Sequence, residues 1–239
     1  MKLRDIEVIY EDVNMLVVNK PSGLLSVPDR YNKDLPCLAG MLKDLHPGLM
    51  VVHRLDRETS GALVFAKTAE AHSHLNMQFQ NRKVEKWYWL LTTGQPPQSG
   101  TIDVNIAPHP SGSKMMATGK GGKPAQTAYE TIRHFRIFSL VKANLLTGRT
   151  HQLRVHFAHI GHEIVGDTIY GSHGPLYLSS FKRKYHPSKD RQERPLMNRL
   201  ALHARTLSVE HPQTGEQMRW EAPLPKDFRA SLNQLEKWG

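Results

Sequence analysis

Apolar positions along the chain fall into short alternating runs more often than into long helical stripes. Ile6–Tyr10 and Met15–Asn19 read as two strands, joined by the polar turn Glu11-Asp12-Val13-Asn14. Pro21-Ser22-Gly23 then turns the chain into a loop. Ala62–Ala66 is a short apolar run of the kind that forms a buried strand. Ala69–Arg82 differs: Ala71, Leu75 and Phe79 recur every four residues, which predicts an amphipathic helix. Strand character returns over Lys83–Thr93, Ala125–Phe135 and Phe138–Leu146. After Thr147-Gly148, Leu153, Phe157 and Ile160 share one face of a second helix over Arg149–Ile160. Ala201–Val209 and Met218–Glu221 are late strands about the turn Pro212-Gln213-Thr214-Gly215, and Lys226–Trp238 suits a closing helix.

Strands outnumber helices and do not alternate regularly with them. The expected fold class is therefore α+β, a largely antiparallel mixed sheet with flanking helices, over one domain spanning 1–239. Two stretches look irregular and basic. One is Pro108–Pro124, rich in Gly, Ser and Lys. The other is an insertion at about 172–195, where Phe181-Lys182-Arg183-Lys184-Tyr185-His186 sets cations beside aromatics. Within it, Phe181–Arg194 carries six cations against two carboxylates, the mixture expected of a flap that contacts a nucleic acid.

Charge narrows the choice of partner. Of 239 residues, 32 are Lys or Arg and 22 Asp or Glu, a net charge of +10 that suits a polyanion. No apolar run approaches the roughly 18 residues a membrane span needs. Acidic residues also occupy the start, where a signal peptide is apolar. The expectation is a cytoplasmic, monomeric protein without membrane contact, with nucleic acid as partner. The lone cysteine, Cys37, excludes an intramolecular disulfide and reads as an idle or buried thiol.

Candidate chemistry concentrates in three segments. In Val51-Val52-His53-Arg54-Leu55-Asp56-Arg57-Glu58-Thr59-Ser60-Gly61, a carboxylate lies between two arginines. Such an Asp stays ionised as a nucleophile or base requires, or else simply caps a turn or pairs with an arginine. In Lys86-Trp87-Tyr88, Lys86 and Tyr88 share one strand face, and Tyr88 either stacks on a base or is an ordinary half-buried tyrosine. In Thr147-Gly148-Arg149-Thr150-His151-Gln152-Leu153-Arg154-Val155-His156, the two arginines lie five apart and point in different directions on a regular helix. Either one serves the site or the surface.

Taken in order, His-Arg-Leu-Asp-x-x-Thr-Ser-Gly, Lys-x-Tyr, Thr-Gly-Arg-x-His-Gln-x-Arg-Val-His and Gly166-Asp167-Thr168-Ile169-Tyr170-Gly171 resemble the RluA family of RNA pseudouridine synthases. Asn19-Lys20-Pro21-Ser22-Gly23-Leu24-Leu25 is similar to that family too, and the likeness runs from about Ile6 to about Pro223. The resemblance implies an isomerase that detaches a uracil from its ribose and rejoins it through C5, with no cofactor and no metal. It implies Asp56 as the catalytic aspartate, Tyr88 against the flipped uracil serving proton transfer, and Arg154 pairing with Asp56. Arg54 would fill the gap left in the RNA stack. His53, Arg149, His151, Gln152 and Lys86 complete the candidate substrate contacts. Whether Asp56 adds to the sugar, adds to the base or assists a glycal route stays open. Extruding the uridine costs a few kcal/mol, which stacking and cationic clamps offset. Since Lys2-Leu3-Arg4 runs straight into the catalytic motifs, the expectation is a catalytic domain without the leading S4-type module of many family members. The expected substrate is structured RNA, ribosomal RNA ahead of transfer RNA.

Two rival readings bear on the same residues. His156, His159 and His162, three apart, have spacing that can build a metal site, but no His-Glu-x-x-His accompanies them. A non-catalytic RNA-binding protein would explain the charge and leave Asp56 without a task.

Overall fold

Asp12 closes the first turn of the protein: its carboxylate accepts hydrogen bonds from the amides of Asn14 and Met15 at 2.8 and 2.7 Å. The turn joins β1 (Glu7–Glu11) to β2 (Met15–Lys20), which pair antiparallel. These relations come from a computed structural model that describes residues 6–111, 115–185 and 192–239. The chain groups into two compact units. The first is the chain through Tyr88 together with His203–Pro223; the second is Trp89–Leu202 with Leu224–Gly239.

In the first unit, α1 (Leu38–Lys43) and β3 (Met50–Val51) precede β4 (Ser60–Ala66), whose seven residues are all buried. Cys37 is buried, and its thiol caps α1 by accepting from the Gly40 amide. The amphipathic stripe forms α2 (Ala69–Gln80), capped by the Thr68 hydroxyl on the Ala71 amide at 3.1 Å. This helix stops two residues short of its expected end, and Arg82 adopts a left-handed conformation. β11 (Leu202–Glu210) and β12 (Gln217–Glu221) complete the unit, in the strand order β1-β2-β4-β11, with β12 on β11 and β3 on β4. β2 and β3 each run antiparallel to β4, as β12 does to β11. β4 and β11 run parallel, with His203 facing Ser60 and Ala204 facing Gly61. Gly61 has φ +120, and a Cβ there would collide with the backbone of Ala204. Only glycine permits so close an approach of the two strands. The core behind the sheet includes Met15, Val17, Val64, Leu75, Val209 and Trp220.

β5 (Glu85–Thr93) begins in the first unit and ends in the second. The second unit has the order β5-β10-β9-β6, built from β6 (Ser99–Asp103), β9 (Gln126–His134) and β10 (Phe138–Leu145). The stretch Pro108–Pro124, expected to be irregular, contributes to a small separate ladder: β7 (Ile106–Pro108) pairs with β8 (Met116–Thr118). Helix α3 (Gln152–His159) starts three residues later than the pattern suggested, because His151 takes the left-handed conformation at its N-cap. The closing helix α4 (Lys226–Trp238) has the expected bounds and buries Phe228, Ser231 and Leu235. No helix among the described residues is long and apolar enough to cross a membrane.

Candidate active site

The loop carrying Asp56 is fixed through its backbone. Lys20, at the end of β2, is fully buried, and its ammonium donates to the carbonyls of Pro21, Leu24 and Arg57 at 2.9, 2.7 and 3.1 Å. A buried cation is tolerated only when its protons are taken up, and these carbonyls take them. Ser26 clamps the residue before Asp56 from both sides, donating to the Leu55 carbonyl and accepting from its amide at 2.7 and 3.0 Å. Ser22 donates to the Glu58 carbonyl, and the Gly23 amide donates to that of Arg57. The Thr59 amide closes the turn on the Asp56 carbonyl. Ser60 and His203 then form a buried hydrogen bond at 2.9 Å, and His203 also meets the Ala222 carbonyl. Asp56 is half-buried and Arg54 exposed at the ends of this brace. Neither Lys20 nor Ser26 was singled out for a role from sequence. The available signal was a lysine ending an apolar strand just before Pro-Ser-Gly.

Around the loop, His53 stacks on Phe79 with ring centroids 4.5 Å apart, and the Lys86 ammonium lies 5.5 Å from the same Phe79 ring. Burial, and then the charge of Lys86, pushes the His53 imidazole down to about 3. The ring is therefore neutral at physiological pH, and its Nε2 accepts the Val64 amide at 3.2 Å. That bond gives His53 a bracing part beneath the Asp56 segment. Burial likewise lowers Lys86. Tyr88 is buried on the same strand. Its phenol is pushed well above the ordinary tyrosine value, first by burial and then by the charge of Asp56. A phenol so shifted keeps its proton at physiological pH.

In the second unit the Arg149–His156 segment is organised around two side chains. Gln152 is buried, and its amide is fully engaged. Its oxygen accepts from the Thr147 hydroxyl and the Arg149 amide, while its nitrogen donates to the Gln126 carbonyl and the Thr127 hydroxyl. A side chain so committed shapes the Thr147–Arg149 turn and has no hydrogen-bonding capacity left for a substrate. Arg149 lies at the margin of this turn, its Nε on the Pro124 carbonyl at 3.0 Å. Arg154 forks onto Asp167 with two bonds of 2.8 and 2.7 Å, both residues nearly out of solvent. Burial alone would raise the Asp167 carboxyl, but the Arg154 bonds and charge and the amides of Ile169 and Tyr170 together hold it below the usual carboxylate range. Asp167 was legible only as part of a motif, without a role. Tyr170 of that motif lies under the Arg154 guanidinium at 5.0 Å, and its hydroxyl meets His151 Nδ1 at 2.8 Å.

The histidine triplet is dispersed among separate partners. His156 bonds Thr127 and the Val104 carbonyl, His159 bonds Thr118, and His162 bonds the Thr93 carbonyl. Among the described residues no group of three or more side chains is arranged to hold a metal.

Comparison with known proteins identifies the family. The model of the RNA pseudouridylate synthase family matches residues 14–159. Ribosomal large subunit pseudouridine synthase D of Pseudomonas aeruginosa is 37% identical over 238 residues, a match covering 98% of this chain and 72% of that one. The protein of the same name from Haemophilus influenzae is 38% identical, covering 97% and 71%. Among solved structures, human RNA pseudouridylate synthase domain containing 4 aligns with a TM-score of 0.72 at 26% identity, covering 96% of this chain and 93% of that one. Human RNA pseudouridylate synthase domain containing 1 aligns with a TM-score of 0.70 at 27% identity, covering 99% and 96%. The α+β, largely antiparallel fold agrees with these neighbours, and the chain belongs to the family of RNA pseudouridine synthases.

Proposed function

We propose that this protein isomerises a specific uridine of ribosomal RNA to pseudouridine, with Asp56 as the catalytic residue. The observation that carries the proposal is the brace around Asp56. A buried ammonium and two serines hold the backbone on both sides of one half-buried carboxylate, and a buried phenol feels its charge. Structure spent on immobilising a loop is what a reacting group needs, because misplacement by an ångström costs orders of magnitude in rate. Tyr88 packs against the uracil ring and serves the proton-transfer part of the reaction, as the family resemblance implies. The family resemblance makes Arg154 a catalytic residue as well, and the Asp167 fork gives its guanidinium a fixed orientation. Arg54, Arg149, Lys86 and His151 are the proposed contacts to the RNA. The ribosomal substrate rests on the names of the relatives from Pseudomonas and Haemophilus. We read the two units as one catalytic domain, acting as a cytoplasmic monomer.

The test is release of tritium from uracil C5 in RNA taken from cells lacking the gene. Asp56→Asn should slow release by about 10³-fold or more, the scale on which a positioned acid–base group contributes. RNA affinity should stay within a few fold, because phosphate contacts supply most of it. Substantial turnover by the Asn variant overturns the assignment. Mapping pseudouridine in cells with and without the gene identifies the RNA and the position.

A further inference from the structure

Two ammonium groups converge on one exposed ring in the second unit. Lys182 Nζ lies 4.2 Å, and Lys237 Nζ 5.0 Å, from the centroid of the Trp238 ring at the end of α4. Lys182 also lies 5.4 Å from the ring of Tyr185. Arg183 and Lys184 follow Lys182 in an exposed turn, with Lys184 at φ +56, a conformation that disfavours a side chain. Arg136 reaches the same segment, donating to the Phe181 carbonyl at 2.8 Å. Phe181 itself is fully buried against Phe138, so one of the two aromatics of the expected flap serves as an anchor for the turn.

Like charges brought together repel, and among the described residues no carboxylate forms an ion pair with Lys182, Arg183, Lys184 or Lys237. The nearest acidic neighbour in sequence, Glu236, is turned to Arg133 at 3.3 Å. Cation–π contacts hold the ammoniums in place without neutralising them. The bland explanation, a lysine complementing the dipole at a helix C-terminus, accounts for Lys237 alone and leaves the other cations unexplained. An anion laid across the cluster relieves the repulsion, and a polyanion relieves it at several points together. We infer that Lys182, Arg183, Lys184, Lys237 and the Trp238 ring form a second RNA-backbone platform, separate from the residues that act on the uridine. The inference rests on the reading of the protein as an enzyme of RNA. It revises the expectation of a whole RNA-contacting flap over Phe181–Arg194: the platform is the anchored part, shared with α4, while 186–191 lie outside the described residues.

The experiment titrates the full chain with labelled RNA from cells lacking the gene, over a series of KCl concentrations, and measures tritium release at saturating RNA. The double variant Lys182→Gln, Lys237→Gln should lower the slope of log affinity against log salt by about 0.7–0.9 for each phosphate it leaves unneutralised. It should bind several-fold more weakly at low salt. Trp238→Ala should weaken binding in the same direction by releasing the lysines, and Trp238→Phe should restore most of it. Release at saturating RNA should stay within about twofold of the unaltered protein, since none of these residues is placed in the catalytic machinery. Thermal unfolding checks the fold; should the double variant be unstable, Lys237→Glu, on the exposed last turn, supplies the same reading. An unchanged salt slope with affinity within twofold overturns the platform and leaves the cluster to another anion, such as an acidic protein. Failure of the unaltered protein to release tritium sinks the proposed activity, while a reduced slope in the variants still supports the platform.

Discussion

The Asp56 loop in the first unit and the Arg154 segment in the second solve the problem of holding a charged group in opposite ways. Around Asp56 the structure grips the main chain: Lys20, Ser22 and Ser26 bond backbone groups of Leu55, Arg57 and Glu58. Around Arg154 it grips the side chain itself, with both oxygens of Asp167 on one guanidinium. The difference follows from chemistry. A carboxylate proposed to react needs oxygens open to the substrate, so the brace acts on its backbone. A guanidinium with five donors can give two to a permanent partner and keep the others for work.

Removing one member of the buried fork puts this contrast under the greatest strain. Arg154→Ala or Asp167→Ala should each destabilise the protein by about 3–5 kcal/mol, because either leaves a buried charge unpaired. Arg154→Ala should also slow turnover nearly as much as loss of Asp56. Arg154→Lys should fail to rescue it, since an ammonium cannot reproduce the planar fork. Denaturant unfolding and single-turnover kinetics on each variant supply the check; full stability in Asp167→Ala would dissolve the contrast. Acid adds a second reading. The Asp167 carboxyl is held below its ordinary 3.8, so its stabilising contribution is complete at neutral pH. That contribution is lost only as pH falls below about 4, through the folded-state value. Asp167→Asn should accordingly flatten the dependence of stability on pH in that acid range and leave the dependence near neutrality unchanged.

A glycine tests each region next. Gly61 ends the Asp56 motif and meets the backbone of Ala204; Gly166, at φ +73, precedes Asp167 and meets the backbone of Arg199. Alanine at either position adds left-handed strain to a backbone collision, together about 2–4 kcal/mol. Thermal melts should show both variants strongly destabilised. If Gly61→Ala melts like the unaltered protein, the close approach of β4 and β11 is not what sets the loop.

Lys20→Met keeps the length of the side chain and removes a donor from three carbonyls, of which that of Arg57 still has the Gly23 amide. Its cost should be about 1–3 kcal/mol. Turnover should fall while RNA affinity holds, because the Asp56 backbone loosens and the RNA-binding surface is untouched. A fall in affinity with unchanged turnover would assign Lys20 to binding. The smallest effect should come from Arg149→Ala. That side chain bonds one carbonyl at the margin of its turn, so stability should shift by less than about 1 kcal/mol, with affinity falling a few fold. A larger loss of turnover than in Arg154→Ala would reverse the roles of the two arginines.

Much of this molecule was legible in the chain itself. Runs with clear period, such as Met15–Asn19, Phe138–Leu146 and Lys226–Trp238, reappear within a residue or two as β2, β10 and α4. Their burial pattern is local information, carried by neighbouring residues. The short elements were not legible. β6 has one buried residue, Ile102, and exists because β9 lies beside it, and α1 is six residues long with a glycine inside. The candidate site divides the same way. Asp56, Tyr88 and Arg154 were given roles by motif, while Lys20, Ser22 and Asp167 lay in motifs without a role and Ser26 lay outside them. Lys20 meets Arg57 from 37 positions away, Ser26 meets Leu55 from 29, and Arg154 meets Asp167 from 13. Residue type and spacing, written in order along the chain, mark which side chains carry the chemistry. Which of them are braced, buried or engaged was left to the folded state, because a hydrogen bond across such separations forms only once the intervening chain has folded and water has been excluded.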